Sequence, residues 1–172
     1  ITLDLPSIQK FIVTSTADVT IEKVVSNSWP TSITAKNVAF TGTTYNSVSI
    51  NVEETATFNG GTYNNEVVVI GSENDAEAVI NGGVFNHNFK SSVDTTIKGG
   101  SLPYVDADIN GVADYMLIMN AGKTLTVEKA DSAFGPLFAT SGADCKLVYD
   151  TQDIKDFYSG LEGSNWSNIS VK

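Results

Sequence analysis

The sequence predicts an all-β fold: a single-stranded, right-handed parallel β-helix of about five to seven short coils. Two observations carry this prediction. A segment of the form apolar-x-Gly-Gly-x-apolar recurs at a spacing of about 20 residues, and Ser, Thr and Asn, which suit strands and turns, make up 50 of the 172 residues. One such repeat cannot bury its apolar side alone, but stacked copies can.

The repeats align without gaps around the glycines. Three copies are FNGGTYN (58–64), INGGVFN (80–86) and IKGGSLP (97–103); FTGTTYN (40–46) lacks one glycine, and IEKVVSN (21–27) is degenerate. Each copy predicts a short strand, a Gly-Gly corner and a second short strand, because glycine accepts positive φ without a steric penalty. Stacking then predicts two columns and an amide ladder. The first column holds Phe40, Phe58, Ile80 and Ile97, the second holds Tyr45, Tyr63, Phe85 and Leu102, and the ladder holds Asn46, Asn64 and Asn86.

The ends of the chain differ from the coils, as the caps of a solenoid do. We expect a single domain, 1–172, with an N-terminal cap at 1–20, coils at 21–127 and a C-terminal cap at 128–172, because no linker interrupts the chain. The C-terminal part predicts strands at 117–119, 125–127, 146–149 and 166–171. It also predicts one short helix that follows a capping segment at 150–153 and ends at Gly160.

Charge and composition exclude several classes of function. The formal net charge is −10, the isoelectric point is near 4.3, and all ten basic residues are lysine. Nucleic-acid binding is not expected, since it requires cationic side chains that replace the counterions of phosphates. Membrane insertion is not expected either, since no apolar run approaches the roughly 20 residues needed to span a bilayer.

The coil motif resembles the "GGTF/GGTY" coils of right-handed β-helix surface proteins from gut-type bacteria and their phages. In those chains the coils often end in Val-Ala-Asp-(Gly)-Tyr followed by a Thr-x-Thr-Val strand. VADY (112–115) and TLTV (124–127) match that ending here, without the glycine, and the resemblance covers about residues 33–127. It implies the pectate-lyase-like β-helix class, which includes lyases, hydrolases, adhesins and phage spikes, so the fold alone does not select an activity.

No catalytic residues are predicted. Pectate-lyase-type enzymes use an Arg or Lys base beside calcium carboxylates, and this chain has no arginine. The adjacent aspartates, Gly-His-Gly and Arg-Ile-Lys of galacturonase-type enzymes are also missing. A glycoside hydrolase needs only two carboxylates about 5–9 Å apart. Several acidic residues on neighbouring predicted coils could meet that distance by accident: Glu53, Glu54, Glu66, Glu73, Glu77 and Asp94.

One segment has the spacing of a calcium loop. Asp106, Asp108, Asn110 and Asp114 fit the first nine positions of D-x-D-x-N-G-x-x-D. Position 12 is Leu117, so the bidentate glutamate is missing, and a plain polar turn at a coil exit explains the same residues. No cofactor is therefore predicted: the polar turn is the favoured interpretation of this segment, and a calcium site is the alternative.

Aromatic residues divide into two groups. Those in the second column are expected to pack inward. Four others lie outside the columns and are the candidates for a surface that stacks on a glycan or contacts a partner, with capping contacts as the alternative: Trp29, Tyr104, Tyr115 and Trp166.

These observations favour a non-catalytic extracellular or cell-surface module for adhesion or attachment, with a glycan or a surface protein as its partner. A structural part of a phage virion (a spike, a fibre or a capsid decoration), assembled as a homotrimer, is the second interpretation. A polysaccharide lyase or glycoside hydrolase is the third.

Overall fold

The fold is a parallel β-solenoid of about six turns, with one short helix among the described residues, which confirms the predicted fold class. The computed structural model describes residues 2–8, 12–26, 31–42, 44–45, 47–101, 117–130, 138–140, 143–160 and 166–172. The strands, in chain order, are β1 Thr2–Ile8, β2 Ile12–Thr14, β3 Val19–Ser26, β4 Thr31–Phe40, β5 Thr44–Tyr45, β6 Val48–Phe58, β7 Thr62–Tyr63, β8 Val67–Gly71, β9 Glu77–Ile80, β10 Val84–Phe85, β11 Phe89–Ser91, β12 Asp94–Ile97, β13 Leu117–Met119, β14 Thr124–Val127, β15 Phe138–Thr140, β16 Lys146–Tyr149 and β17 Asn168–Val171. The helix, α1, spans Gln152–Tyr158.

The strands form three ladders, and every pairing in them is parallel. The first ladder runs β2, β4, β6, β8, β11, β13, β15. The second runs β1, β3, β4, β6, β9, β12, β14, β16, β17. The third runs β3, β5, β7, β10. Strands β4 and β6 belong to the first two ladders at once, because each bends at the corner between them.

The first predicted column is confirmed by the register of the second ladder. Phe40 pairs with Phe58, Phe58 with Ile80, and Ile80 with Ile97. All four side chains are buried, and the Phe40 and Phe58 rings stack with centroids 5.1 Å apart. The register of the column also extends beyond these four residues in both directions, through Leu3, Ile21, Val127, Tyr149 and Val171.

The second column and the amide ladder follow the same register. Tyr45 pairs with Tyr63 and Tyr63 with Phe85, while Leu102 lies outside the described residues. The Tyr63 and Phe85 rings are buried and stack at 4.6 Å. Asn86 Nδ2 donates to Asn64 Oδ1 at 3.2 Å, as predicted, and Asn46 lies outside the described residues. A second amide pair, Asn81 Nδ2 to Asn59 Oδ1 at 2.9 Å, was not anticipated.

Glycines at the corner between the second and third ladders have two separate roles. The second glycine of each pair has positive φ, +99° at Gly61 and +105° at Gly83, which an L side chain rarely adopts. The first glycine lies close to the backbone of the preceding coil. A Cβ added at Gly82 would lie 2.7 Å from Asn59 O, so the corner of one coil rests directly on the corner below it.

The chain ends both contribute strands to the ladders. At the N-terminal end β1 pairs with β3 and β2 with β4. At the other end β14, β16 and β17 follow one another in register, with α1 between the last two. Thr151 caps α1 by accepting from Ile154 N–H, and Tyr158 from the end of the helix is buried against Tyr149. The helix therefore lies at the surface beside the last coils, with Ile154 and Tyr158 as its buried side chains.

Candidate functional site

Most of the residues that the sequence proposed for a site lie outside the described residues. This holds for Trp29, Tyr104 and Tyr115, and for the calcium candidates Asp106, Asp108, Asn110 and Asp114. Trp166 is described: it is half-buried and packs against the hydrophobic core just before β17. Trp166 therefore contacts the core and keeps part of its side chain exposed.

An open groove on the outer face of the second ladder is a candidate site among the described residues. It crosses β3, β4 and β6 and has a volume of about 370 Å³. Because side chains alternate along a strand, the residues on either side of buried Val19 and Val38 point outward into it. The outward lining consists of Asp18, Thr20, Asn37, Ala39, Thr55 and Thr57.

Asn37 organises the rim of this groove. It follows a register shift between Ala35 and Asn37, where β4 turns the corner between two ladders. Its Nδ2 donates to Asp18 Oδ1 at 2.9 Å and to Glu54 Oε2 at 3.1 Å. Its Oδ1 accepts from Thr55 N–H at 2.9 Å. One amide therefore fixes two carboxylates from neighbouring coils along the rim.

The two carboxylates suit hydrogen-bond acceptance better than proton donation. Since both bond to one nitrogen, their oxygens lie at most about 6 Å apart, a separation that glycoside hydrolases also use. A general acid, however, needs a raised pKa. The pKa of Glu54 is lowered instead, first by the hydrogen bond from Lys36, whose Nζ lies 3.0 Å from Glu54 Oε1, and then by the bond from Asn37.

The lowered pKa of Glu54 gives a testable pH dependence. We expect its carboxyl to titrate below its ordinary value of 4.5 in the folded protein. The stabilising pairing with Lys36 is then complete above the unfolded-state pKa and is lost as the pH falls through the lower folded-state pKa. Carbon NMR of the side-chain carboxyl measures the midpoint directly.

Lys36→Met should move the Glu54 midpoint upward, because it removes the largest cause of the shift. Lys90→Met is the matched control, since Lys90 pairs with Glu66 on another face and should leave the Glu54 midpoint unchanged. A wild-type midpoint at or above 4.5 would show that the Asn37 cluster does not form as described.

His87 and Cys145, two other side chains that could carry chemistry, lie in a turn and in the core. His87 Nδ1 accepts from the Asn88 N–H at 2.8 Å within a turn, and Cys145 is fully buried. Within the described ranges, no group of three or more His, Cys, Asp or Glu side chains is arranged to hold a metal ion.

None of the helical segments described is long and apolar enough to cross a membrane. Tyr63 and Phe85 are buried at 1% exposure or less, so they offer no stacking platform.

The groove escaped the sequence prediction because its residues carry no common motif. Asp18 precedes β3, Asn37 lies at a bulge and Glu54 is at the bend of β6; only the register brings them together. The one local signal is the pair Lys36-Asn37, which interrupts the strict alternation of buried and exposed residues along β4.

Comparison of the chain with protein-family models, with curated proteins and with solved structures gave no match.

Proposed function

We propose that this solenoid is a non-catalytic extracellular binding module that attaches to glycans through the groove of β3, β4 and β6. The observation that carries the proposal is the combination of an open groove with a rim of fixed carboxylate and amide groups and a floor of Thr and Ala side chains. Carboxylate and amide oxygens accept hydrogen bonds from sugar hydroxyl groups, and threonine hydroxyls can donate or accept.

Charge favours a neutral glycan as the ligand. The chain has a net charge of −10 and no arginine for bidentate recognition of carboxylate or sulfate groups. At the rim itself, Asp18 and Glu54 are acidic, and Lys36, the cation that pairs with Glu54, already has its partner. An acidic polysaccharide would meet repulsion at this site, whereas a neutral one would meet hydrogen-bond acceptors.

The outer face provides room for an extended polymer beyond the groove. One outward position remains uncharged through eight successive strands of the second ladder, a run of about 33 Å at the usual strand spacing. Its residues, paired in order, are Thr20, Ala39, Thr57, Val79, Thr96, Thr126, Val148 and Ser170. The resemblance of the Gly-Gly coils to surface β-helix proteins of gut-type bacteria and their phages supports the extracellular setting.

Filling the groove should weaken binding without disturbing the core. Ala39 points outward from the groove floor, so Ala39→Tyr places a ring in the groove. A glycan array first identifies the neutral polysaccharides that the wild type binds. We expect the affinity of Ala39→Tyr for these polysaccharides to be at least about tenfold lower, as the loss of a few hydrogen bonds predicts. Affinity electrophoresis or calorimetry gives the measurement.

Ser32→Tyr is the matched control, because Ser32 is exposed on the same strand but on the first ladder. Equal binding by the two variants would place the ligand elsewhere, and a wild type that binds no glycan on the array would contradict the proposal. Release of reducing ends from a bound polysaccharide, abolished by Asp18→Asn, would instead favour the glycoside hydrolase interpretation.

A further inference from the structure

Two corners of the solenoid carry the same reactive dipeptide, Asn-Gly. Asn59 precedes Gly60 and Asn81 precedes Gly82, in neighbouring coils and directly after the first column. Both asparagine side chains are exposed. Because glycine has no side chain, its backbone nitrogen can approach the side-chain amide of the preceding asparagine with little hindrance. The local sequences of the two sites are nearly the same, so a difference in their reactivity must come from the fold.

The two glycine nitrogens differ in their hydrogen bonds. Gly82 N–H donates to Phe58 O at 2.9 Å. In the coil below, Phe40 O accepts from Asn59 N–H at 2.8 Å, but Gly60 N–H forms no hydrogen bond with any residue that the structure describes. The Gly60 nitrogen can therefore lose its proton to solvent directly, whereas the Gly82 nitrogen must first give up a hydrogen bond.

The two side-chain carbonyl groups differ as well. Asn81 Nδ2 donates to Asn59 Oδ1 at 2.9 Å. A donor is thus in place where negative charge develops when a nucleophile attacks the Cγ of Asn59. Among the described residues none donates to Asn81 Oδ1, and Lys98, which follows Asn81 in the next coil, pairs with Glu128 instead. Both differences favour reaction at Asn59.

We propose that Asn59 is a self-modification site of the folded solenoid, where attack by the Gly60 nitrogen and then by water converts it to aspartate or isoaspartate. The nitrogen gives its proton to solvent and forms a bond to Asn59 Cγ. The bond from Cγ to Nδ2 breaks, and ammonia leaves. Water then opens the cyclic imide at either carbonyl carbon. Cleavage at Cγ gives aspartate, and cleavage at the main-chain carbon gives isoaspartate. The overall reaction is amide hydrolysis, so nothing is oxidised or reduced.

The modification changes the corner in two ways. Either product carries one negative charge that asparagine lacks, two residues after Thr57 of the groove lining. Isoaspartate also adds a methylene group to the main chain beside Gly60. A Cβ on Gly60 would lie only 2.5 Å from Thr41 O, so the corner has little room for extra atoms.

Peptide mapping of residues 1–172 during incubation in mildly alkaline buffer measures the two sites separately. Cleavage after glutamate places Asn59 in peptide 55–66 and Asn81 in a peptide that begins at residue 78. Mass spectrometry then follows the replacement of the side-chain nitrogen by oxygen. In the folded protein we expect Asn59 to convert at least about tenfold faster than Asn81, because of the hydrogen bond that Gly82 must break. In urea the two rates should be nearly equal.

Asn81→Ala tests the polarisation of the Asn59 carbonyl. The substitution removes the donor to Asn59 Oδ1, so conversion of Asn59 should become about fivefold slower. Asn86→Ala is the matched control, because it removes the equivalent donor to Asn64 Oδ1 and should leave the rate at Asn59 unchanged. Circular dichroism shows whether each variant remains folded during the incubation.

Several results would overturn the proposal. An Asn59 that stays intact in the folded protein while the urea sample converts would mean that the corner holds the amide away from the Gly60 nitrogen. Equal rates at Asn59 and Asn81 in the folded protein, or a faster rate at Asn81, would mean that these hydrogen bonds do not control the reaction. A folded Asn81→Ala variant with an unchanged or faster rate at Asn59 would contradict the role of the Asn81 donor.

Discussion

Phe58→Ala should lower the free energy of unfolding by about 3–5 kcal/mol, as expected for removal of a fully buried aromatic ring. Phe58 is 0% exposed and stacks on Phe40 at 5.1 Å. It also meets the rings of Tyr63, Phe85 and Phe89 edge to face at 5.3–5.7 Å. The substitution therefore leaves a cavity where both columns of the core meet, and urea denaturation followed by circular dichroism measures the loss.

The adjacent Thr57→Ala serves as the control for Phe58→Ala. Thr57 points outward on the same strand, so its substitution should change stability by no more than about 0.5 kcal/mol. Equal effects of the two substitutions would contradict the inward assignment of the column.

Gly82→Ala should destabilise the solenoid by about 1–3 kcal/mol, the usual cost of forcing extra atoms into a packed region. The added Cβ would lie 2.7 Å from Asn59 O, a backbone atom of the coil below. The two corners would have to separate, which also strains the hydrogen bond from Gly82 N–H to Phe58 O at 2.9 Å. Thermal unfolding monitored by circular dichroism measures this loss of stability.

Gly42 supplies the matched control for Gly82→Ala. It occupies the equivalent position in the repeat that lacks one glycine (40–46), but a Cβ there would meet nothing within 4 Å, and its φ is not positive. Gly42→Ala should therefore be neutral or stabilise by up to about 1 kcal/mol, because alanine restricts the unfolded chain. A loss of stability at Gly42 as large as that at Gly82 would mean that the close approach of coils is not the reason for the glycine.

Sequence reasoning was sufficient for the coils that carry glycine pairs. Once Phe58 and Ile80 are aligned by their glycines, the two-residue alternation of strands determines which neighbours are buried, and the structure follows that register. The coils near the ends were harder to predict, because Leu3, Val127, Tyr149 and Val171 extend the same column without any glycine pair to mark it. A short strand in which apolar and polar residues alternate can join a parallel ladder without any further motif. Such a strand is therefore hard to recognise from the sequence.

The candidate groove could not be predicted for a related reason. Asn37 lies 19 residues after Asp18 and 17 residues before Glu54, and a shift of one residue in any coil would turn one of them to the other face. The bulge after Ala35 produces such a shift. Residues that meet only across coils, at an irregular corner, depend on the three-dimensional register and leave no local pattern.

The direct pairing of Phe58 with Ile80 has a consequence for how such a chain can change in length. The residues from Phe58 to Ile80 form one complete coil of the solenoid. Deleting or duplicating that coil would join two positions that are equivalent in the ladder. Neighbouring coils differ in length, since Phe58 follows Phe40 by 18 residues and Ile80 follows Phe58 by 22. Both coils nevertheless keep the column residues paired with one another. Evolution or engineering can therefore lengthen this solenoid in steps of about 4.8 Å, one strand spacing, while its cross-section stays the same.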